Sequence, residues 1–180
     1  MRRALFLLSL LAVLTPMLRA TTIRALSIDE LARASSAIVL GQAGQSWTAW
    51  DEEHHNLYTY TRVKVMQAMK GPAADVVVKQ IGGSDGHILQ KVFGVRHFLA
   101  GESTLLFLTS SKTGDGTMLV VGLMQGNFRV RQIANGDLVA SNGVAGVGAR
   151  SAQQHREYRG ATIRLSDLQA RIHEAVQNER

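Results

Sequence analysis

The densest cluster of side chains that could do chemistry is the acidic and histidine-rich run at residues 51–55, Asp-Glu-Glu-His-His. Carboxylates and imidazoles that are adjacent in sequence can bind one cation. A metal site is predicted more strongly by two histidines four residues apart on a helix, or by ligands on separate strands. The carboxylates could also act as general acid or base, but the sequence offers no nucleophile and no orienting third group. The pattern favours a solvated loop between Trp50 and Leu57. A metal-dependent enzyme using His54, His55 and a carboxylate is the alternative.

A second cluster combines Ser84, Asp85 and His87 within the glycine-rich run at residues 82–87. A serine hydrolase would carry its nucleophile in a Gly-x-Ser-x-Gly elbow after a strand, and that motif is absent from the sequence. Turn chemistry accounts for Ser84 and Asp85. The run also lacks the Gly-Lys-Ser/Thr ending of a phosphate-binding loop. We therefore expect no catalytic residue and no cofactor, and we treat these three residues as binding candidates.

Aromatic and basic residues alternate along the segment that contains Tyr58, Tyr60, Arg62 and Lys64. On a strand these four side chains share one face. Stacking on aromatic rings in a basic groove is how many barrels bind single-stranded nucleic acid. The charge argues against that partner: the formal net charge is +6, and three arginines lie in an N-terminal segment that we expect to be removed, which leaves +3. The same face could recognise a peptide or a glycan.

Two tryptophans, Trp47 and Trp50, precede the acidic run. Tryptophan is usually buried, but its combination of a large apolar ring with one polar N–H group also suits a contact surface. Loops on a rigid scaffold carry recognition more often than its strands do. We therefore predict loops at residues 47–55 and 82–87, and we expect substitution of Trp50 and His54 to weaken partner binding.

The N-terminal segment, residues 1–20, has the layout of a secretory signal peptide. Arg2 and Arg3 are followed by an apolar run, a helix-breaking Pro16 and the small cleavage residue Ala20. The apolar run is shorter than the roughly 20 residues that span a bilayer, which argues against a permanent anchor. The prediction is a secreted or periplasmic chain that starts at Thr21 and has no membrane span after cleavage.

Hydrophobic and turn patterns predict short strands with a helix at each end. Ser27 and Glu30 form a capping box, which predicts a short helix. Ser166 and Gln169 repeat that pattern before an apolar stripe. The predicted strands cover residues 37–40, 57–69, 76–81, 103–109, 118–123 and 126–131. The predicted organisation is a signal peptide at 1–20, a barrel domain at 21–133, a flexible connection with a hairpin at 134–163, and a C-terminal helix at 164–180.

These elements predict a mainly β fold: a small OB-like barrel of five or six strands with a short N-terminal helix and an amphipathic C-terminal helix. Strands and helices do not alternate, which excludes a parallel α/β sheet. A hydrophobic fraction of 46% excludes a disordered chain, and the absence of cysteine excludes a disulfide scaffold.

The order of these features resembles a known family. The apolar strand at residues 37–41 is followed by a long strand that ends in Met69-Lys70-Gly71-Pro72, a valine-rich strand, a glycine-rich loop, and the run Phe-Leu-Ala-Gly-Glu at 98–102 before a leucine-rich strand. This resembles the netrin module, the OB-like barrel of the tissue inhibitors of metalloproteinases, and still more the cysteine-free exported bacterial proteins of unknown function. The resemblance covers residues 32–130.

In the inhibitors of that family, an N-terminal cysteine chelates the protease zinc through its free amine and carbonyl. The matching position here is Thr21, which the resemblance makes a candidate N-terminal wedge, although no cysteine fastens it to the barrel. Together these observations predict an exported, non-enzymatic binding module, and the resemblance adds protease inhibition as one form of that binding. Its expected partner is another exported protein or a protease, with a glycan as the alternative and nucleic acid disfavoured. A structural protein of the cell envelope is a further alternative.

Overall fold

The computed structural model describes residues 24–143 and 162–179. These residues form a closed five-stranded β-barrel with additional strands and a short helix at each end of the described chain. The predicted fold class is therefore confirmed. The predicted signal peptide, Thr21 and the central part of the predicted connection, residues 144–161, lie outside the described residues.

Two α-helices, one 3₁₀ helix and ten strands make up the fold of the described residues. The helices are α1 (Ile28–Ala34) and α2 (Leu165–Gln177), with the 3₁₀ helix at Leu123–Gly126. The long strands are β1 (Ala37–Trp50), β2 (Leu57–Lys70), β3 (Val76–Ile81), β6 (Ser103–Ser110) and β8 (Asn127–Gln132). The short ones are β4 (Gly83–Ser84), β5 (Leu89–Gln90), β7 (Met118–Val120), β9 (Leu138–Ser141) and β10 (Ile163–Arg164).

The barrel closes because β6 pairs with β7 on one side and with β1 on the other. The order of its strands is β1-β2-β3-β7-β6, and β6 pairs back with β1 to complete the cylinder. Every pairing in the barrel is antiparallel except that of β3 with β7, which consists of the single pair Val78 and Met118. The strands β8, β9 and β10 continue from β6 outside the cylinder.

Both faces of β6 are buried, which explains its uninterrupted apolar sequence. Leu106 and Leu108 pack inside the barrel with Val39 and Val63. Phe107 points the other way and meets Phe128, with 5.9 Å between the two ring centroids. The helices α1 and α2 cover this second cluster.

The alternation predicted for β2 is confirmed. Its inward side chains are buried: Leu57, Thr59, Thr61 and Val63. On the opposite side the tyrosines are half-buried and the cations are exposed: Tyr58, Tyr60, Arg62 and Lys64. This strand therefore presents one aromatic and basic row to the outside of the barrel.

The first strand is much longer than predicted. It continues past Gly41 to Trp50, so the expected loop at 47–55 is wrong for residues 47–50, and residues 51–56 connect β1 to β2. Gly41 does not end the strand but permits a close approach: a Cβ atom there would lie 2.6 Å from the carbonyl oxygen of Lys64. The register of β1 against β2 shifts at three points, and such irregularities let a strand bend while it stays paired. The predicted open loop at 82–87 is also wrong in part, because β4 pairs with β5.

The two helices begin differently. The predicted capping box of α1 is confirmed: the Glu30 N–H donates to Ser27 Oγ at 3.2 Å, and the Ser27 N–H donates to Glu30 Oε2 at 2.8 Å. The predicted capping box at Ser166 is wrong, because α2 begins at Leu165 and its N-cap, Arg164, lies two residues before Ser166 and makes no side-chain cap. Pairing of β10 with β9 fixes where the chain enters this helix. Neither described helix is long and apolar enough to cross a membrane.

Candidate aromatic and basic binding face

The most prominent surface feature lies on the outside of β1, β2 and β3. We call it the aromatic–basic face and define it by Trp47, Tyr58, Tyr60, Arg62 and Lys64. Trp47 lies opposite Tyr60 in the β1–β2 register, and the two rings stack with 5.6 Å between centroids and 10° between planes. Trp47 is 41% exposed. The stack therefore presents a large, flat apolar surface to solvent at little cost in side-chain entropy.

Lys79 of β3 fixes the two tyrosines in place. Its Nζ lies 4.7 Å from the ring centroid of Tyr58 and 5.7 Å from that of Tyr60, which are cation–π distances. The same nitrogen donates to Asp115 Oδ2 at 3.2 Å. Burial alone would lower the pKa of Lys79, but the hydrogen bond to Asp115 and the nearby Tyr60 raise it above its usual value. Lys79 therefore stays charged.

An apolar groove adjoins this face where β3 and β7 separate. Beyond the pair Val78 and Met118 the two strands diverge and leave a cleft of about 250 Å³. This volume is smaller than the roughly 300 to 1,000 Å³ of pockets that enclose drug-sized ligands, so the groove suits a single side chain. Its lining is mainly aliphatic: Ile81, Val95, Leu119, Val120 and Leu123, with Tyr58, Lys79 and Gln80 completing it.

Leu123 is the most unusual residue of the groove. It adopts a positive φ of 59°, which is rare for a bulky side chain and costs about 1 to 3 kcal/mol. Its side chain is nevertheless 44% exposed. The Met124 N–H donates to the Gly94 carbonyl at 2.9 Å and holds this turn beside Val95. Strain of this kind is characteristic of functional surfaces.

A short segment around Arg96 forms one wall of the groove and is fastened to β3. The Gln80 Nε2 group donates to the Arg96 carbonyl oxygen at 2.9 Å. The His97 Nε2 atom lies 3.2 Å from the Ile81 carbonyl oxygen. Because both bonds reach β3, they position Val95 against the groove.

A network of charged side chains also holds the segment around Arg96. Arg96 and Arg129 both donate to the carboxylate of Glu102, and the Arg129 bond measures 3.0 Å. Arg96 Nη2 also donates to Asn127 Oδ1 at 2.6 Å. The Glu102 side chain is only 6% exposed. Burial raises the pKa of Glu102, but the hydrogen bonds from the two arginines outweigh it and hold that pKa below its usual value.

Three binding candidates from the sequence, Trp50, His54 and Asp85, form a separate contact at the end of the barrel. Trp50 Nε1 donates to Asp85 Oδ2 at 3.0 Å, and the His54 ring stacks over Trp50 with 6.4 Å between centroids. The N–H groups of Ile88 and His87 donate to Asp85 Oδ1 at 2.8 and 2.9 Å. These backbone bonds, together with the one from Trp50, lower the pKa of Asp85 to about 2. Asp85 thus organises the loop that contains it.

The residues considered for serine chemistry do not form a triad. The Ser84 hydroxyl accepts a hydrogen bond from the Gly86 N–H at 3.2 Å, and the Ser84 carbonyl oxygen accepts one from Thr48 Oγ1 at 2.7 Å. Asp85 contacts His87 through the backbone N–H. This arrangement is that of a hydrogen-bonded turn.

The acidic run between β1 and β2 is also internally bonded. Asp51 accepts from the N–H groups of His55 at 2.7 Å and Asn56 at 3.1 Å. His55 Nδ1 lies 3.1 Å from Glu53 Oε2, and both side chains are exposed. Within residues 24–143 and 162–179, no three His, Asp or Glu side chains are grouped so that they could hold a metal ion.

The structure separates the two tryptophans that the sequence places close together. They are three residues apart on one strand and therefore point to opposite sides: Trp47 lies on the aromatic–basic face, and Trp50 lies at the barrel end. Lys79, Val95 and Leu123 were not singled out in the sequence. Lys79 belongs to the site because β3 pairs with β2, and neither alternation nor composition signals the positive φ of Leu123.

The aromatic–basic face and the groove share Tyr58 and form one continuous surface. A flat aromatic stack, a cleft for one apolar side chain and two exposed cations are suited to non-covalent recognition. No protein-family model and no curated protein matches this chain.

Proposed function

We propose that the protein is an exported, non-enzymatic binding module that binds another protein through its aromatic–basic face and the adjoining groove. The observation that carries this proposal is the exposed stack of Trp47 on Tyr60 beside an apolar cleft. Tryptophan, tyrosine and arginine are the residues that most often dominate binding energy at protein interfaces. A rigid barrel strand presents them without the entropic cost of ordering a loop.

The state of the carboxylates favours binding over acid–base catalysis. A general acid or base works best with a pKa near the working pH. Asp51, Asp85 and Glu102 instead have lowered pKa values, because each accepts hydrogen bonds from neighbouring groups. At neutral pH these carboxylates stay ionised and hold loops in place.

Export is the part of the proposal that depends on the sequence alone. The charged start, the apolar run and Ala20 support removal of residues 1–20. Intact-mass analysis of the protein recovered outside the cytoplasm tests this directly. We expect the mass of a chain beginning at Thr21, and a mass that retains Met1 would contradict export by cleavage.

Site-specific photo-crosslinking in the native cell tests the binding surface. A photoreactive amino acid is placed at Trp47, and in a matched variant at Ile133, which is 40% exposed on the β8–β9 turn. We expect a defined protein adduct from Trp47 and none from Ile133. The crosslinked protein is then purified and its affinity for the unlabelled chain is measured.

The affinity measurement separates a specific interface from a chance capture. Trp47→Ala should weaken binding by about tenfold or more, in line with the loss of an interface anchor worth at least about 1.4 kcal/mol. Leu138→Ala, which changes another exposed apolar residue, should leave the affinity unchanged. Equal crosslinking at both positions, or equal affinity of both variants, would refute the proposed surface.

A further inference from the structure

We infer that the partner presents an extended acidic peptide segment, with one large apolar side chain in the groove and acidic side chains over Arg62 and Lys64. This inference rests on the proposed function and specifies the chemistry of the partner. Three observations carry it: the line of the outer residues along β2, the unpaired charge at one end of that line, and the apolar groove at the other end.

The outer residues of β2 form a single row that begins at the groove. Tyr58 lines the groove, and Tyr60, Arg62 and Lys64 follow at alternate positions. Alternate residues of a strand are about 6.8 Å apart, so the row from Tyr58 to Lys64 is about 20 Å long. An extended peptide has the same repeat. A ligand anchored in the groove would therefore meet Arg62 and Lys64 about four and six residues from its anchor.

The end of the row that is far from the groove is positively charged. Arg62 and Lys64 are exposed, and neither forms an ion pair with an acidic residue in the part of the chain that the structure describes. Lys79, close to the groove, is instead neutralised by Asp115 at 3.2 Å. Complementarity therefore requires acidic groups at one end of the ligand and an uncharged group at the other.

The groove end supplies the anchor site. Its walls are aliphatic, and its volume of about 250 Å³ matches one large side chain better than a whole small-molecule ligand. Leu123 keeps its side chain half-exposed at the groove despite a strained backbone. A buried apolar anchor surrounded by polar contacts is the usual arrangement of an interface hot spot.

A single-stranded nucleic acid would satisfy the cations but not the rest of the surface. Base stacking needs free ring faces. Here the stack of Trp47 on Tyr60 and the Lys79 ammonium over the Tyr58 ring leave fewer ring faces for bases than three separate aromatic side chains would. Two unpaired cations also neutralise few phosphates, whereas affinity for nucleic acid grows with the number of phosphate contacts. The observations therefore favour a peptide.

Selection from a library of random linear peptides tests the inference even while the natural partner is unidentified. The folded protein is immobilised, and the library is depleted beforehand on the same support without protein. We expect enriched sequences to share one large apolar residue with acidic residues about four and six positions away, in one chain direction. Affinities of labelled synthetic copies are then measured by fluorescence anisotropy.

Three variants give the quantitative test. Arg62→Ala/Lys64→Ala should weaken peptide binding by up to about tenfold at low salt, and by less as salt screens the exposed charges. Leu123→Gly should weaken binding while leaving the melting temperature equal or higher, because glycine relieves the positive φ. Arg131→Ala, which removes an exposed cation on β8, is the matched control and should have no effect.

The outcomes separate this inference from the proposed function. The inference would be overturned by enriched peptides that lack acidic residues, or by undiminished peptide binding to Arg62→Ala/Lys64→Ala. In either case, a partner crosslinked at Trp47 would still support the proposed function. Stronger binding of an oligothymidylate than of any selected peptide would also overturn the inference, in favour of nucleic acid. Failure to enrich any peptide together with failure to crosslink at Trp47 would overturn both.

Discussion

Replacing Glu102 by glutamine should destabilise the fold and remove part of its pH dependence. Glu102 is the only acidic partner of both Arg96 and Arg129 among the described residues, and it joins the segment beside the groove to the barrel. Glutamine preserves the shape and one acceptor oxygen but removes the negative charge. The two guanidinium groups would then share a partly buried site without a counter-ion.

The expected loss follows from the burial of the three side chains. Removing one partner of a fully buried ion pair costs about 3 to 5 kcal/mol. The Glu102 side chain is 6% exposed, but those of Arg96 and Arg129 are 23% and 40% exposed and can be partly rehydrated. We therefore expect a loss of about 2 to 3 kcal/mol in the free energy of unfolding near neutral pH.

The pH dependence has a defined sign. The folded state lowers the pKa of Glu102 below its ordinary value of 4.5, so ionisation of this group stabilises the fold above that pH. The contribution is lost as the pH falls from 4.5 through the lower folded value. The stability difference between the natural protein and Glu102→Gln should therefore shrink on acidification. Other acidic groups, such as Asp85, titrate in both proteins and cancel in this difference.

Urea unfolding followed by tryptophan fluorescence measures the free energies at neutral and acidic pH. Glu52→Gln, a change at an exposed residue of the β1–β2 turn, is the control and should stay within about 0.5 kcal/mol of the natural protein. A loss for Glu102→Gln below about 0.5 kcal/mol, or a loss that does not depend on pH, would refute this account of the network.

Two further predictions concern a turn and the contact at the barrel end. Gly71→Ala should cost more stability in a thermal melt than Gly114→Ala: both glycines have positive φ, but a Cβ at position 71 would lie 2.6 Å from the Ser36 carbonyl oxygen, whereas one at position 114 meets nothing within 4 Å. Equal losses would show that the close approach to Ser36 is unimportant. Asp85→Ala should shift the NMR signal of the Trp50 indole N–H and speed amide exchange at Ile88, because both groups donate to Asp85. An unchanged indole signal would contradict that contact.

The strand faces were predictable because β2 has one buried side and one exposed side. Alternation alone then determines that Tyr58, Tyr60, Arg62 and Lys64 lie together. The capping box of α1 was predictable for a similar reason, since Ser27 and Glu30 interact within one turn of helix. Local patterns of this kind depend on neighbours in sequence.

The extent of β1 and the groove could not be predicted, because both depend on distant parts of the chain. The middle of β1, residues 41–46, consists only of glycine, glutamine, alanine and serine, none of which is among the residues enriched in strands, and it is extended because it pairs with β2. The groove combines side chains from β2, β3, the segment before β6, β7 and the 3₁₀ helix. Barrel closure brings these elements together, and no local pattern indicates it.

The most direct test of the central claim compares two pairs of aromatic side chains in binding to the crosslinked partner. One variant, Trp47→Ala/Tyr60→Ala, removes the exposed stack, and the other, Trp50→Ala/His54→Ala, removes the stack at the barrel end. With melting temperatures measured in parallel, titration calorimetry should show a loss of about tenfold or more for the first variant only. Full affinity of the first variant, with loss confined to the second, would contradict the claim and return the binding site to the loops at the barrel end.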